Sequence, residues 1–210
     1  MHQASRHQCL VYEGPPSRQV PALAQILRQK LNLNYRCLYL NSLTMVAGMR
    51  SHLAAAGVDV ELELEKGSLV LSSGQEHVSD GVFDVDGMLD SLEQGVKQAL
   101  ADGYAGLFAT GDMTWELGGD RDISKLLDYE WKLEQVFQRY PELVGICQYH
   151  ADTLPFGFAQ LGLASHATLF IDHTLSINSP RYARDVRSGE ELTAKNMRPD
   201  TFIGRIVPET

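Results

Sequence analysis

Three cysteines among 210 residues are few and odd in number. Cys9, Cys37 and Cys147 stand far apart with no Cys-x-x-Cys between them, which fits reduced thiols rather than a disulfide framework. Basic charge is short as well. Lys+Arg number 18 against 27 Asp+Glu, for a formal net charge of -9, and there is no basic run. Affinity for nucleic acid comes largely from neutralising phosphates, so direct nucleic-acid binding is not expected. No apolar run approaches the ~20 residues that a membrane span needs. The segment Met1 to His7 lacks the apolar stretch of a signal peptide. The expectation is a cytoplasmic chain without membrane contact. Gly-x-Ser-x-Gly, His-Glu-x-x-His and Gly-x-Gly-x-x-Gly are all missing, so no nucleophile–base pair or dinucleotide loop is signalled.

What is present is a globular composition. Hydrophobic residues make up 44% and charged residues 21%, which speaks against disorder and coiled coil. The length allows a sizeable core without disulfide or metal support. Strand-like and helix-like segments alternate along it. Residues 8–12 and 35–40 read as strands. Residues 17–32 carry Val20, Leu23, Ala24, Leu27 and Leu31 at helical spacing, and 45–56 read as a helix stopped by Gly57. Residues 60–64 and 69–72 read as two short strands around Lys66-Gly67, an expected hairpin. After a polar loop over 73–82 comes a helix over 84–102, with Leu89, Leu92, Val96, Ala99 and Leu100 on one stripe. A strand over 106–110, a loop over 111–124, a helix over 125–140 and a strand over 143–149 follow. A short helix within 154–163 and a last strand over 167–171 complete the series.

This alternation implies right-handed βαβ crossovers and a mostly parallel sheet: a three-layer α/β domain over about residues 7–173. Residues 174–210 differ. They hold six Lys/Arg and five Asp/Glu, a charge of +1, which leaves 12 basic and 22 acidic residues, or -10, in the core. The segment is an extension that packs on the core, a partner-binding arm or a linker.

In an open α/β sheet, ligands bind beyond the carboxyl ends of the strands. Those ends are Tyr12-Glu13-Gly14, Asn41-Ser42, Thr110 to Trp115, and Cys147-Gln148-Tyr149-His150. The first strand–helix turn, Glu13 to Val20, stands where a phosphate-binding loop would. It has one glycine, no lysine and two prolines without amide donors, so it looks unfit for a nucleoside triphosphate.

Glu130 is the most informative single residue. It lies on the apolar stripe of Leu126, Leu133, Phe137 and Tyr140 and so points at the sheet, where a carboxylate is costly unless partnered. It is either a structural acid capping a loop or a ligand-facing one. Cys147 shares a strand face with Gly145 and Tyr149, as a small core residue or a reactive thiol. His7 and Cys9 share another face, but a His-x-Cys pair is only half a metal site. With Cys147 and His166 it would make a tetrahedral set, yet the spacings match no zinc pattern, and no metal is expected. Trp115, in a loop with Gly118-Gly119, is a hydrophobic plug or a lid over a ligand.

A series of motifs then carries a family likeness. His7-Gln8-Cys9-Leu10-Val11-Tyr12-Glu13 opens it. Gly57-Val58-Asp59-Val60, Lys66-Gly67-Ser68-Leu69 and Phe83-Asp84 follow. Then come Gly103 to Leu107, Gly111-Asp112-Met113-Thr114-Trp115, Tyr129-Glu130, Cys147-Gln148-Tyr149 and His166. In this order the set resembles the MEDS domain, the sensory domain of methanogens, methylotrophs and DcmR, over about residues 7–171. The resemblance implies a RecA/KaiC-like core that has lost its phosphate loop. It also implies a sensory role for small organic, hydrocarbon-like ligands in signal transduction or transcription control. Position by position it points to Tyr12, Asp112, Trp115, Glu130, Cys147, Tyr149 and His166 as the ligand site. His150 and Ala167 depart from the family, which more often has an acidic or amide residue and a proline at those places.

The expected function is therefore a non-catalytic ligand-binding module. It would signal through a separate partner, such as a histidine kinase or transcription regulator, or through its extension, as a monomer or a homo-oligomer. Cofactor and ligand identity are not written in the sequence. Two other readings stay open: an enzyme using Cys147 or a residual nucleotide chemistry, and a degenerate ATPase-fold scaffold that only binds protein.

Overall fold

A computed structural model describes residues 6–74, 78–113, 123–152, 168–171 and 174–177. The elements run β1 (His7–Tyr12), α1 (Val20–Asn32), β2 (Tyr35–Leu40), α2 (Leu43–Ala55), α3 (Val60–Glu65), β3 (Leu69–Ser72), β4 (Val78–Ser79), β5 (Val82–Phe83), α4 (Val85–Ala101), β6 (Gly106–Asp112), α5 (Ile123–Arg139), β7 (Leu143–His150), β8 (Thr168–Ile171) and β9 (Thr174–Ile177). Among the described residues, seven strands form one sheet in the order β3-β2-β6-β7-β1-β8-β9. All neighbours are parallel except the antiparallel pair β8 and β9. The fold is the α/β, mostly parallel architecture that the alternation predicts, and the first four residues of the 174–210 segment join its sheet.

The central strands β6 and β7 are buried on both faces almost throughout, as parallel strands between helical layers must be. One face packs Leu10, Tyr12, Cys37, Tyr39, Phe108 and Ile146 under α1, α2 and α3. The other packs Cys9, Leu107, Cys147 and Tyr149 under α4 and α5. Alternation along each strand sends neighbouring side chains to opposite layers, so Cys9 and Tyr12 serve different cores.

One expected strand is a helix. Residues 60–64, read as a strand, begin helix α3. The alternation of Val60-Glu61-Leu62-Glu63-Leu64 favours a strand, but Asp59 Oδ1 accepts a hydrogen bond from Leu62 N at 3.2 Å. That bond caps a helical turn, with Glu61 and Glu63 near its positive end. The expected hairpin is instead a helix, a turn at Gly67 (φ 70) and strand β3.

Three devices fix the α4/α5 layer that covers the site below. Asp84 Oδ1 accepts from Gly87 N at 3.0 Å and caps α4. Glu93 on α4 receives Arg139 and, at 3.1 Å, the hydroxyl of Tyr140 from the end of α5. Lys132 of α5 bridges Asp86 at 2.9 Å. No helix among the described residues is long and apolar enough to cross a membrane.

Candidate functional site

The layer under α5 holds an unusual density of buried polar groups. Strand β1 supplies His7 and Cys9, and β7 supplies Cys147 and Tyr149. The register sets Cys9 opposite Cys147 and His7 opposite Gly145. Helix α5 supplies Glu130 and Glu134, one turn apart on the same side. His7, Cys9, Glu130, Cys147 and Tyr149 are all buried.

Their contacts form a connected set. The His7 ring stacks on Phe137, centroids 4.4 Å apart. Its Nδ1 lies 3.0 Å from Glu134 Oε2. That carboxylate is an acceptor, so Nδ1 carries the proton and Nε2 the lone pair. Nε2 in turn lies 3.5 Å from Cys147 Sγ and 3.5 Å from Glu130 Oε2. Tyr149 Oη donates to Glu130 Oε1. Glu130 thus faces an imidazole, a thiol and a phenol in the interior.

Burial sets the proton states. It lowers the His7 pKa below its usual 6.5, against the opposing pull of Glu134, so the imidazole is neutral. Burial, then the Glu130 charge, raises the Cys9 thiol well above its ordinary range. The same two causes raise Tyr149, which stays a phenol and a donor.

Beside this cluster, between β6, β7 and the α4/α5 layer, lies a cavity of about 30 Å3. Apolar side chains such as Leu92, Ala109, Met113 and Leu133 line most of it, and Cys147 and Phe137 form the wall it shares with the His7 cluster. A cleft of about 290 Å3 at the edge of α4 shares Leu40, Met88 and Leu92 with it. Gly145 keeps the layers close: a Cβ there would stand 2.9 Å from both Ala109 O and the Phe137 ring.

The sheet divides the residues named from the sequence. Glu130, Cys147 and Tyr149 meet on the α4/α5 side. Tyr12 and Asp112 meet on the other, where Tyr12 Oη donates to Asp112 Oδ2 at 3.1 Å. There Tyr12 stacks on His150 with centroids 4.9 Å apart, and His150 Nε2 contacts Gly14 O at 2.7 Å. Gln148 Nε2 donates to Thr110 Oγ1 at 2.8 Å and Asn41 Nδ2 to Tyr39 Oη at 3.2 Å, so polar groups fill this end of the sheet. Trp115 and His166 lie outside the described residues. In the turn after β1, Gly14 N donates to Asp152 Oδ2 at 2.7 Å.

Three members of the cluster are not among the residues that the sequence points to as the ligand site: His7, Cys9 and Glu134. The signals were present: His7 alternates with Cys9 onto one strand face, and Glu134 follows Glu130 by one helical turn. Joining them required knowing that β1 lies beside β7.

Comparison with known proteins agrees with this architecture. A family model described as MEDS, MEthanogen/methylotroph, DcmR Sensory domain, matches residues 6–167. The flagellar accessory protein FlaH from Methanocaldococcus jannaschii is similar in fold, with a TM-score of 0.52 and 11% identity, over 83% of this chain and 77% of that one. A Pyrococcus horikoshii OT3 protein studied as Project ID PH0250 aligns with a TM-score of 0.41 and 12% identity, over 83% of this chain and 87% of that one. No curated protein matches the chain. The likeness to FlaH is one of fold, a RecA/KaiC-like α/β core.

Proposed function

The chain belongs to the MEDS family of sensory domains, and on that premise we propose that it binds a small organic molecule of one to a few carbons in the cavity beside Cys147. The observation that carries the proposal is the junction of two environments. An apolar cavity, which shares Leu40, Met88 and Leu92 with a larger cleft, ends on a thiol backed by an imidazole and a carboxyl group. Binding pockets pair an apolar wall with few placed polar groups, and a cavity this small admits only a small guest. The chain then acts without catalysis, as a cytoplasmic module that passes the bound state to a separate signalling partner. Nucleotide handling is disfavoured at the first turn. Pro15 and Pro16 offer no amide, and the Gly14 amide is already given to Asp152.

Calorimetric titration with methanol and dichloromethane tests this. The unchanged chain is expected to bind at least one of them saturably. Ala109→Val, which adds methyl groups at the cavity wall, is expected to weaken binding by about tenfold or more while leaving the circular dichroism of the fold intact. Heats that never saturate for either compound overturn the proposal.

One observation favours a second reading, a thiol-dependent enzyme. Cys147, His7 and Glu134 follow each other in the order of nucleophile, base and orienting acid. Alkylation separates the two: a nucleophilic Cys147 reacts with iodoacetamide much faster than an ordinary thiol, whereas the buried sensory thiol reacts slowly.

A further inference from the structure

We propose that His7, Glu130 and Cys147 form a binding site for a borderline divalent cation of the zinc class. Their ligating atoms, an imidazole nitrogen, a carboxylate oxygen and a thiol sulfur, all lie within 4.8 Å of one another in the interior. This inference does not rest on the organic-ligand reading, and its test uses metal ions alone.

Four observations carry it. First, the donor set is mixed nitrogen, oxygen and sulfur. That is the chemistry of zinc rather than of calcium or magnesium, which take oxygen ligands. Second, the imidazole is already in the ligating form. Glu134 holds Nδ1–H at 3.0 Å, which leaves Nε2 with its lone pair toward Glu130 and Cys147. A carboxylate behind a histidine is the arrangement that orients metal-bound imidazoles. Third, the charges balance. A divalent cation between one thiolate, one carboxylate and a neutral imidazole makes a site of zero net charge, as burial demands. Fourth, the supports are rigid. Tyr149 Oη holds the other oxygen of Glu130, Phe137 stacks on His7, and Cys147 sits in the middle of β7. Cys9, opposite Cys147 in the register, adds a second sulfur to the same face.

Spacing along the chain concealed this. The ligands come from β1, α5 and β7, with His7 more than a hundred residues from both others, and no zinc motif has that form. On cation binding the Cys147 thiol loses its proton to solvent and a sulfur–metal bond forms, with no change of oxidation state.

The experiment is titration of the full, metal-stripped chain with Co2+ and Zn2+, followed by absorbance. One Co2+ per chain is expected, with a thiolate-to-cobalt charge-transfer band in the near ultraviolet that Zn2+ displaces. Cys147→Ala is expected to abolish the band. Glu134→Gln, at the half-exposed rim, is expected to weaken affinity by about 10- to 100-fold while the band keeps its shape, which separates orientation of His7 from loss of the fold. No stoichiometric binding, binding without a charge-transfer band, or a full band in a folded Cys147→Ala chain overturns the proposal. If Cys147→Ala does not fold, the decision falls to Glu134→Gln: unchanged affinity there overturns it.

Discussion

A neutral imidazole inside a protein is a stability term that depends on pH. His7 has its pKa lowered by burial, so below the usual 6.5 the unfolded chain takes up a proton that the folded chain refuses. Stability is therefore fully present above 6.5 and is lost as pH falls through that value toward the folded pKa. Melting temperature of the metal-free chain is expected to drop over this window, and less steeply in His7→Gln, which has no proton to gain. Tyr149 is the second residue whose loss is diagnostic. Its hydroxyl donates to Glu130 Oε1 in the interior. Tyr149→Phe keeps the ring and removes a hydrogen bond to a buried carboxyl group, at a cost of about 1–3 kcal/mol. Urea denaturation measures it. A loss no larger than a few tenths would mean that Glu130 does not depend on this phenol.

Elements set how closely these residues meet. Strand β7 runs beside β6 and under α5 at Gly145, where a Cβ would press on the Ala109 carbonyl and the Phe137 ring. Gly145→Ala is expected to destabilise by about 1–3 kcal/mol and to displace Phe137, the ring on which His7 stacks. Unfolding curves check the first effect and the His7 proton chemical shifts the second. Much at this scale was legible beforehand. Helices α4 and α5 followed from stripes at helical spacing, and the inward aim of Glu130 from its place between Leu126 and Leu133. The capped turn of α3 was not. Six residues of alternating charge fit a strand as well as a helix, and only the Asp59 cap decides between them. The composition of the site was half legible. Strand alternation assigns His7 and Cys9 to one face. Strand order, which places β7 between β6 and β1, is a property of long-range pairing that no local pattern records. Alternation divides Tyr12 and Asp112 from Glu130, Cys147 and Tyr149, and strand order brings His7, with Glu134 behind it, to Cys147.

At the scale of the whole molecule, the interior carries an excess of groups that must keep their protons. Cys9 and Cys37 are raised from 9.0, Cys37 to about 12, and Tyr12, Tyr39 and Tyr149 from 10.0, in each case chiefly by burial. Above 9.0 the unfolded chain ionises these groups first, so stability falls as pH rises. Together with His7 this predicts a plateau of melting temperature between about 6.5 and 9.0, with losses on both sides. On the proposed reading a small guest is sensed in the layer between the sheet and α4/α5, and methyl-labelled methionine reports on it most directly. Met88 and Met113 line the cavity, whereas Met49 is buried on the opposite face of the sheet. In carbon–proton spectra of the labelled chain titrated with methanol or dichloromethane, the Met88 and Met113 methyl signals are predicted to shift saturably with at least one of the two while Met49 stays in place. Signals of Met88 and Met113 that stay fixed with both, or that move only in step with Met49, would contradict the account.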